Sequence, residues 1–139
     1  MQFTILIIED DPDINSLLAN ILHAADYQTI CAYSASEANL LLEKEIPDLI
    51  LLDLMLPGIS GENFLKDLRD RQLSGLPVIV ISAKSALCDK VSVLKNGADD
   101  YMTKPFEPEE VLARVEANLR RCSKKQPSAS LLTYKKLKL

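Results

Sequence analysis

The sequence has 139 residues, 47% hydrophobic and 26% charged, enough for one globular domain with a sizeable core and a short extension. No apolar run approaches the ~20 residues of a membrane span, and the opening MQFT has no basic stretch of the secretory kind, so the expected location is the cytoplasm, with no membrane partner. The net charge of −4 is unevenly spread: residues 122–139 hold five lysines and no acid, and the eleven basic and twenty acidic residues before them leave −9, a globule that repels nucleic-acid phosphates.

Apolar runs then alternate with helical patterns along the chain. Residues 3–8 (FTILII) form a continuous apolar run, as expected of a strand buried on both faces. Ile14, Leu17, Leu18, Ile21 and Leu22 recur at helical spacing, and Pro12 fits the first turn, where a missing N–H costs nothing. A second strand is read at 29–33. Ser34 and Glu37 form a capping box ahead of a helix bearing Ala38, Leu41 and Leu42. Residues 49–52 (LILL) make the most apolar strand, expected to lie centrally, and it ends in Asp53. A loop with Pro57, Gly58 and Gly61 leads to a helix using Phe64, Leu65 and Leu68, which Ser74-Gly75 ends. The fourth strand is 78–81, with Pro77 at its entrance. A weaker helix over about 86–96 stops at Gly97, a good C-terminal cap position. A short fifth strand lies near 101–103, and a last helix from Pro108 repeats at Val111, Leu112, Val115 and Leu119.

This is β-α five times over. Strands joined through helices run parallel with right-handed crossovers, so the fold class is α/β: a doubly wound five-stranded parallel sheet with helices on both faces. Ligands of such sheets sit at the carboxyl ends of the strands, where strand order reverses. Residues 1–121 form the domain, 122–130 (CSKKQPSAS) a polar linker, and 131–139 (LLTYKKLKL) a strand-like piece that belongs to a further domain, because a lone strand is not stable. The cysteines, Cys31, Cys88 and Cys122, have neither Cys-x-x-Cys nor zinc spacing and are expected to be reduced.

Charged and polar residues stand at the strand ends. Glu9, Asp10 and Asp11 follow the first strand, Asp53 the third, Ser82 the fourth and Lys104 the fifth. In a parallel sheet all these ends point one way and meet at one mouth. An aspartate before proline is by itself an ordinary helix N-cap. Clustered carboxylates, however, repel one another unless a cation neutralises them. Mg2+ (or Mn2+) suits such a set, since it takes one or two carboxylates and keeps positions for phosphate oxygens. Lys104 adds a fixed positive charge, Ser82 a hydrogen-bond donor, and Asp53 is placed as a nucleophile giving an aspartyl phosphate.

Asp10-Asp11, Asp53 within LLDLMLPGISG, Ser82-Ala83 and Lys104-Pro105 within GADDYMTKPF resemble the receiver domain of bacterial two-component response regulators, over about residues 3–121. The resemblance implies a flavodoxin-like sheet of order 2-1-3-4-5 and phosphorylation of Asp53 by a sensor histidine kinase. It implies Asp11 as direct metal ligand, Asp10 as the acid acting through water, and the Met55 carbonyl as a further ligand. Lys104 would contact the phosphoryl group, and Pro105 matches a cis-proline position. Glu9 is left out of the site. Ser82 and Tyr101 match a switch pair, in which Ser82 moves toward the phosphoryl group and Tyr101 turns inward. Met55 and Lys84 flank the approach of the attacking water.

The stretch GADDYMTKPFEPEEVLARVEANLRR resembles regulators of the OmpR/PhoB type. That resemblance implies a homodimer through the fourth helix, fifth strand and fifth helix, with Lys90, Asp100, Glu110 and Arg114 at matching positions for intermolecular salt bridges. Ala86 and Asn96 depart from the charged pattern, which weakens the expected dimer. It also implies transcription regulation by the full-length protein, with DNA bound only through a C-terminal winged-helix domain of which LLTYKKLKL resembles the first strand. The chain is thus expected to be a regulator, catalysing only its own phosphorylation and dephosphorylation. The alternative is a stand-alone receiver that docks a partner protein. An aspartate-nucleophile hydrolase would need an acid at position 55, where Met55 stands.

Overall fold

The computed structural model describes residues 2–71, 73, 75–83 and 87–125. The readings on Lys84, Ala86, Ser74 and residues 131–139 lie outside them. Five strands, β1 (Thr4–Ile8), β2 (Gln28–Ala32), β3 (Leu49–Asp53), β4 (Val78–Ser82) and β5 (Asp100–Thr103), alternate with five helices, α1 (Pro12–Ala24), α2 (Ala35–Lys44), α3 (Gly61–Asp70), α4 (Leu87–Lys95) and α5 (Pro108–Lys125). The strands pair in parallel in the order β2-β1-β3-β4-β5, with β3 central. Every residue of β3 and β4 is buried, which is why both read as unbroken apolar runs.

Side chains alternate between the sheet faces and divide the core in two. Ile5, Ile7, Leu49, Leu51, Ile79, Ile81 and Met102 pack with Leu18, Leu22, Val111 and Val115, so α1 and α5 cover one face. Leu6, Ile8, Ile50, Leu52, Val78, Val80 and Tyr101 pack with residues of α2, α3 and α4 on the other. Full burial of each such aliphatic side chain stabilises the fold by about 1.5–3 kcal/mol.

The local signals act as their chemistry dictates, with two differences. The Ser34 hydroxyl accepts the Glu37 N–H, but Glu37 returns its carboxylate to the N–H of Tyr33, one residue before the cap. The buried stripe of α1 is also rotated. Asn15, Leu18, Ala19, Ile21 and Leu22 are buried, whereas Leu17 is 48% exposed. Helix α5 runs on to Lys125, four residues past position 121.

Candidate functional site at the carboxyl ends of the strands

Strand alternation positions the site. On the α1/α5 face, Ile5 and Ile7 of β1 are followed two residues later by Glu9, Leu51 of β3 by Asp53, and Met102 of β5 by Lys104. Ile7 pairs with Leu51, and continuing that register sets Glu9 beside Asp53. Glu9 still donates its N–H to the Ala32 carbonyl at 3.0 Å, and the Lys104 N–H to the Ser82 carbonyl at 3.0 Å, so the ladders extend past the strands into the site.

Glu9 is 3% exposed and Asp53 4% exposed. The Lys104 Nζ donates to Glu9 Oε1 at 2.8 Å and lies 3.5 Å from Asp53 Oδ2. The Met55 N–H donates to Asp53 Oδ1 at 3.1 Å. Burial pushes the Glu9 carboxyl up to about 7; Lys104 and the Asp11 N–H pull it back, and the Asp53 carboxylate adds to the rise. Burial alone would lower Lys104, but its hydrogen bond to Glu9 and the charge of Asp53 outweigh that and raise it.

Glu9, Asp10 and Asp53 each offer a carboxylate oxygen within 4.8 Å of the others. Three hard oxygen donors at this spacing, with one lysine to balance them, fit a divalent cation such as Mg2+. The expectation for Asp11 differs from this arrangement. Asp11 is the N-cap of α1, its Oδ1 accepting the N–H of Asp13 at 2.9 Å and of Ile14 at 3.4 Å. One carboxylate oxygen aimed at a helix N-terminus is committed to the orphan N–H groups there. The converging acids are therefore the pair one residue earlier. Glu9, left aside on the sequence, is the buried one; the period-two step from Ile5 and Ile7 is the signal that finds it.

Ser82 is fully buried at the end of β4. Val80 pairs with Tyr101, so Ser82, two residues on, shares its face of the sheet with Tyr101. Tyr101 is 3% exposed and packs in the core on the face covered by α2, α3 and α4. Pro105 follows a cis bond from Lys104.

Three of the four charges expected to bridge two chains are paired inside one. Arg114 Nη1 donates to Asp100 Oδ1 at 2.7 Å and its Nε to Glu110 Oε2 at 3.2 Å. Asn118, 1% exposed, donates to Asp100 Oδ2 at 3.2 Å and accepts from Arg121. Lys90 is exposed. Among the described residues, no helix is long and apolar enough to cross a membrane.

Residues 5–116 match the response regulator receiver domain family. The chain is 44% identical over 131 residues to the alkaline phosphatase synthesis transcriptional regulatory protein PhoP of Bacillus subtilis (strain 168), covering 94% of this chain and 54% of that protein. It is 41% identical to the DNA-binding response regulator MtrA of Mycolicibacterium smegmatis over 121 residues, 87% of this chain and 52% of that protein. The chain thus spans about half the length of these two relatives. Among solved structures, the receiver domain of the Francisella response regulator 1452 superposes with a TM-score of 0.82 at 32% identity, covering 86% of this chain and 98% of that one. The BeF3-activated N-terminal receiver domain of RstA from Klebsiella pneumoniae gives 0.79 at 32% identity, covering 84% and 98%. With β-α alternation, sheet order and the converging acids all in agreement, this chain belongs to the response regulator receiver domain family.

Proposed function

We propose that Asp53 is the phosphoacceptor of this receiver domain and that a sensor histidine kinase is its donor. The observation that carries this reading is the meeting of Glu9, Asp53 and Lys104 on one face, from three strands and at hydrogen-bond or ion-pair distance. A carboxylate oxygen of Asp53 attacks the phosphorus, the bond from phosphorus to the donor's imidazole nitrogen breaks, and the imidazole leaves with that electron pair. The Asp53 backbone is held centrally in the sheet, so the nucleophile moves little. Lys104, 3.5 Å from Asp53, lies where it can neutralise phosphoryl oxygens.

Glu9, Asp10 and Asp53 would hold Mg2+ or Mn2+, with the Met55 carbonyl as a further ligand. A bound divalent cation supplies charge neutralisation for the incoming phosphoryl group. Ser82 and Tyr101, on the opposite sheet face, form the switch. New phosphoryl charge draws the Ser82 hydroxyl and favours the inward Tyr101, biasing an existing equilibrium. The output surface is α4, β5 and α5, where a homodimer would exchange Arg114 from its own Asp100 and Glu110 to those of a second copy, with Lys90 at its rim. The receiver runs to Lys125, where α5 ends, 126–130 connect it onward, and 131–139 open an effector domain that binds DNA and regulates transcription in the whole, cytoplasmic protein.

Intact mass after incubation with Mg2+ and acetyl phosphate tests the reading. One added phosphoryl group is expected in the wild type, none after Asp53→Asn, and none with a chelator present. A gain that survives Asp53→Asn would overturn it.

A further inference from the structure

Asn15 lies in the first turn of α1 and is 0% exposed, on the buried stripe that carries Leu18, Ala19 and Leu22. A carboxamide at such a position destabilises the core unless it is hydrogen-bonded. Its Nδ2 donates to the carbonyls of Glu9 and Ala32, each at 3.1 Å. Both acceptors are carbonyls, so only the amide nitrogen can face them, and the orientation of the side chain is fixed. Its Oδ1 is then buried with no hydrogen-bond partner among the described residues. Core packing alone would be served better by an apolar side chain of this volume. The reason for the asparagine lies in what its nitrogen holds.

What it holds is the backbone of the acid pair. The Glu9 N–H is bonded to the Ala32 carbonyl at 3.0 Å, and the Glu9 carbonyl to Asn15. The Asp11 N–H is bonded to Glu9 Oε2 at 3.2 Å. Peptide units are planar, so pinning the units before and after Asp10 fixes both backbone dihedrals at that residue and the direction in which its carboxylate leaves the chain. Three carboxylates brought together repel one another. A restraint on the backbone of one of them opposes that spreading.

We infer that Asn15 is a positioning residue of the cation site, clamping the turn after β1 so that Glu9 and Asp10 stay converged on Asp53. This rests on the reading of Glu9, Asp10 and Asp53 as cation ligands. Outer partners that orient ligands commonly change metal affinity by about 10–100-fold when removed.

The test is a Mn2+ titration of the whole chain without phosphodonor, read by electron paramagnetic resonance of the free ion, alongside thermal melts in chelator. The variants are Asn15→Leu, Asn15→Ala and, as a stability control, Ser34→Ala at the α2 N-cap. Both Asn15 variants are expected to bind Mn2+ about 10–100-fold more weakly, while Ser34→Ala melts earlier but binds as wild type does. Asn15→Ala carries the test should the leucine fail to pack. Folded Asn15 variants that bind Mn2+ with wild-type affinity overturn the positioning role alone. A wild type that holds no Mn2+, or holds it undiminished after Asp53→Ala, overturns the cation site and this role together.

Discussion

At Glu9 the chain buries a carboxyl next to Asp53 and offsets it with one lysine. Its proton is held in the folded state up to about 7, against an ordinary 4.5. Between those values the folded chain binds more protons than the unfolded one, so stability falls as pH rises. The contribution is full below about 4.5, is lost as pH rises through about 7, and amounts to at most about 3 kcal/mol. Urea midpoints in chelator should therefore drop from about pH 5 to about pH 8, with Glu9→Gln flattening the slope; burial sets the rise, the Asp53 carboxylate adds to it, and Lys104 and the Asp11 N–H oppose it. A wild-type slope no steeper than that of Glu9→Gln would contradict this. The same acid run marks the limit of reading by residue type. Three consecutive acids, Glu9-Asp10-Asp11, fit both a site and a helix cap, and one residue of strand length decides which acid does which. Asp11 before Pro12 took the cap. Asp53 was legible because it closes an apolar run and Lys104 because it follows the last strand; Asn15 was not, because its meaning depends on which stripe of α1 is buried.

Among the elements, the turn from β3 to α3 is the tightest constraint on the nucleophile. A Cβ on Gly61 would lie 2.5 Å from the Asp53 carbonyl oxygen and 2.7 Å from the Leu54 Cα, both backbone atoms that cannot step aside. Gly61→Ala should cost about 1–3 kcal/mol in urea unfolding and slow phosphorylation as well, since the strand end bearing Asp53 must shift. Wild-type stability and rate would show that the turn has slack. At the opposite end of the strands, Arg69 of α3 binds the Gly97 carbonyl at 2.6 and 2.9 Å, the Leu76 carbonyl at 2.6 Å and Asp99 at 2.9 Å, tying α3 to the turns before β4 and β5. Gly97 has φ +113°, the left-handed region that helix ends reserve for glycine, and this cap was readable in the sequence. The arginine was not, because its partners are carbonyls of turns distant in the chain. Arg69→Met should leave those carbonyls unsatisfied and lower stability by about 2–3 kcal/mol at unchanged denaturant slope.

For the whole molecule, unbroken apolar runs and capped helices made the α/β class readable, and with it the mouth where the acids meet. The pairing of surface charges was not, since Asp100, Glu110 and Arg114 satisfy one another as well within one chain as between two. Exchanging partly exposed ion pairs between copies gains only about 0–1 kcal/mol each. The proposed dimer must then draw on Val91 and Leu94 of α4, which are 41% and 38% exposed. Light scattering with and without a phosphoryl donor should show a dimer favoured by phosphorylation, weakened less than tenfold by Arg114→Ala and more by Val91→Asp, as one tenfold step is about 1.4 kcal/mol. Equal dimerisation before and after phosphorylation would separate this surface from the switch. All of it depends on Asp53. Borohydride reduces an acyl phosphate at the carbonyl carbon, turning a phosphorylated aspartate into homoserine. Peptide mass mapping after phosphorylation and borohydride treatment should place homoserine at position 53 and nowhere else. Homoserine at another acid, or at none while the chain gains phosphate, would contradict the account.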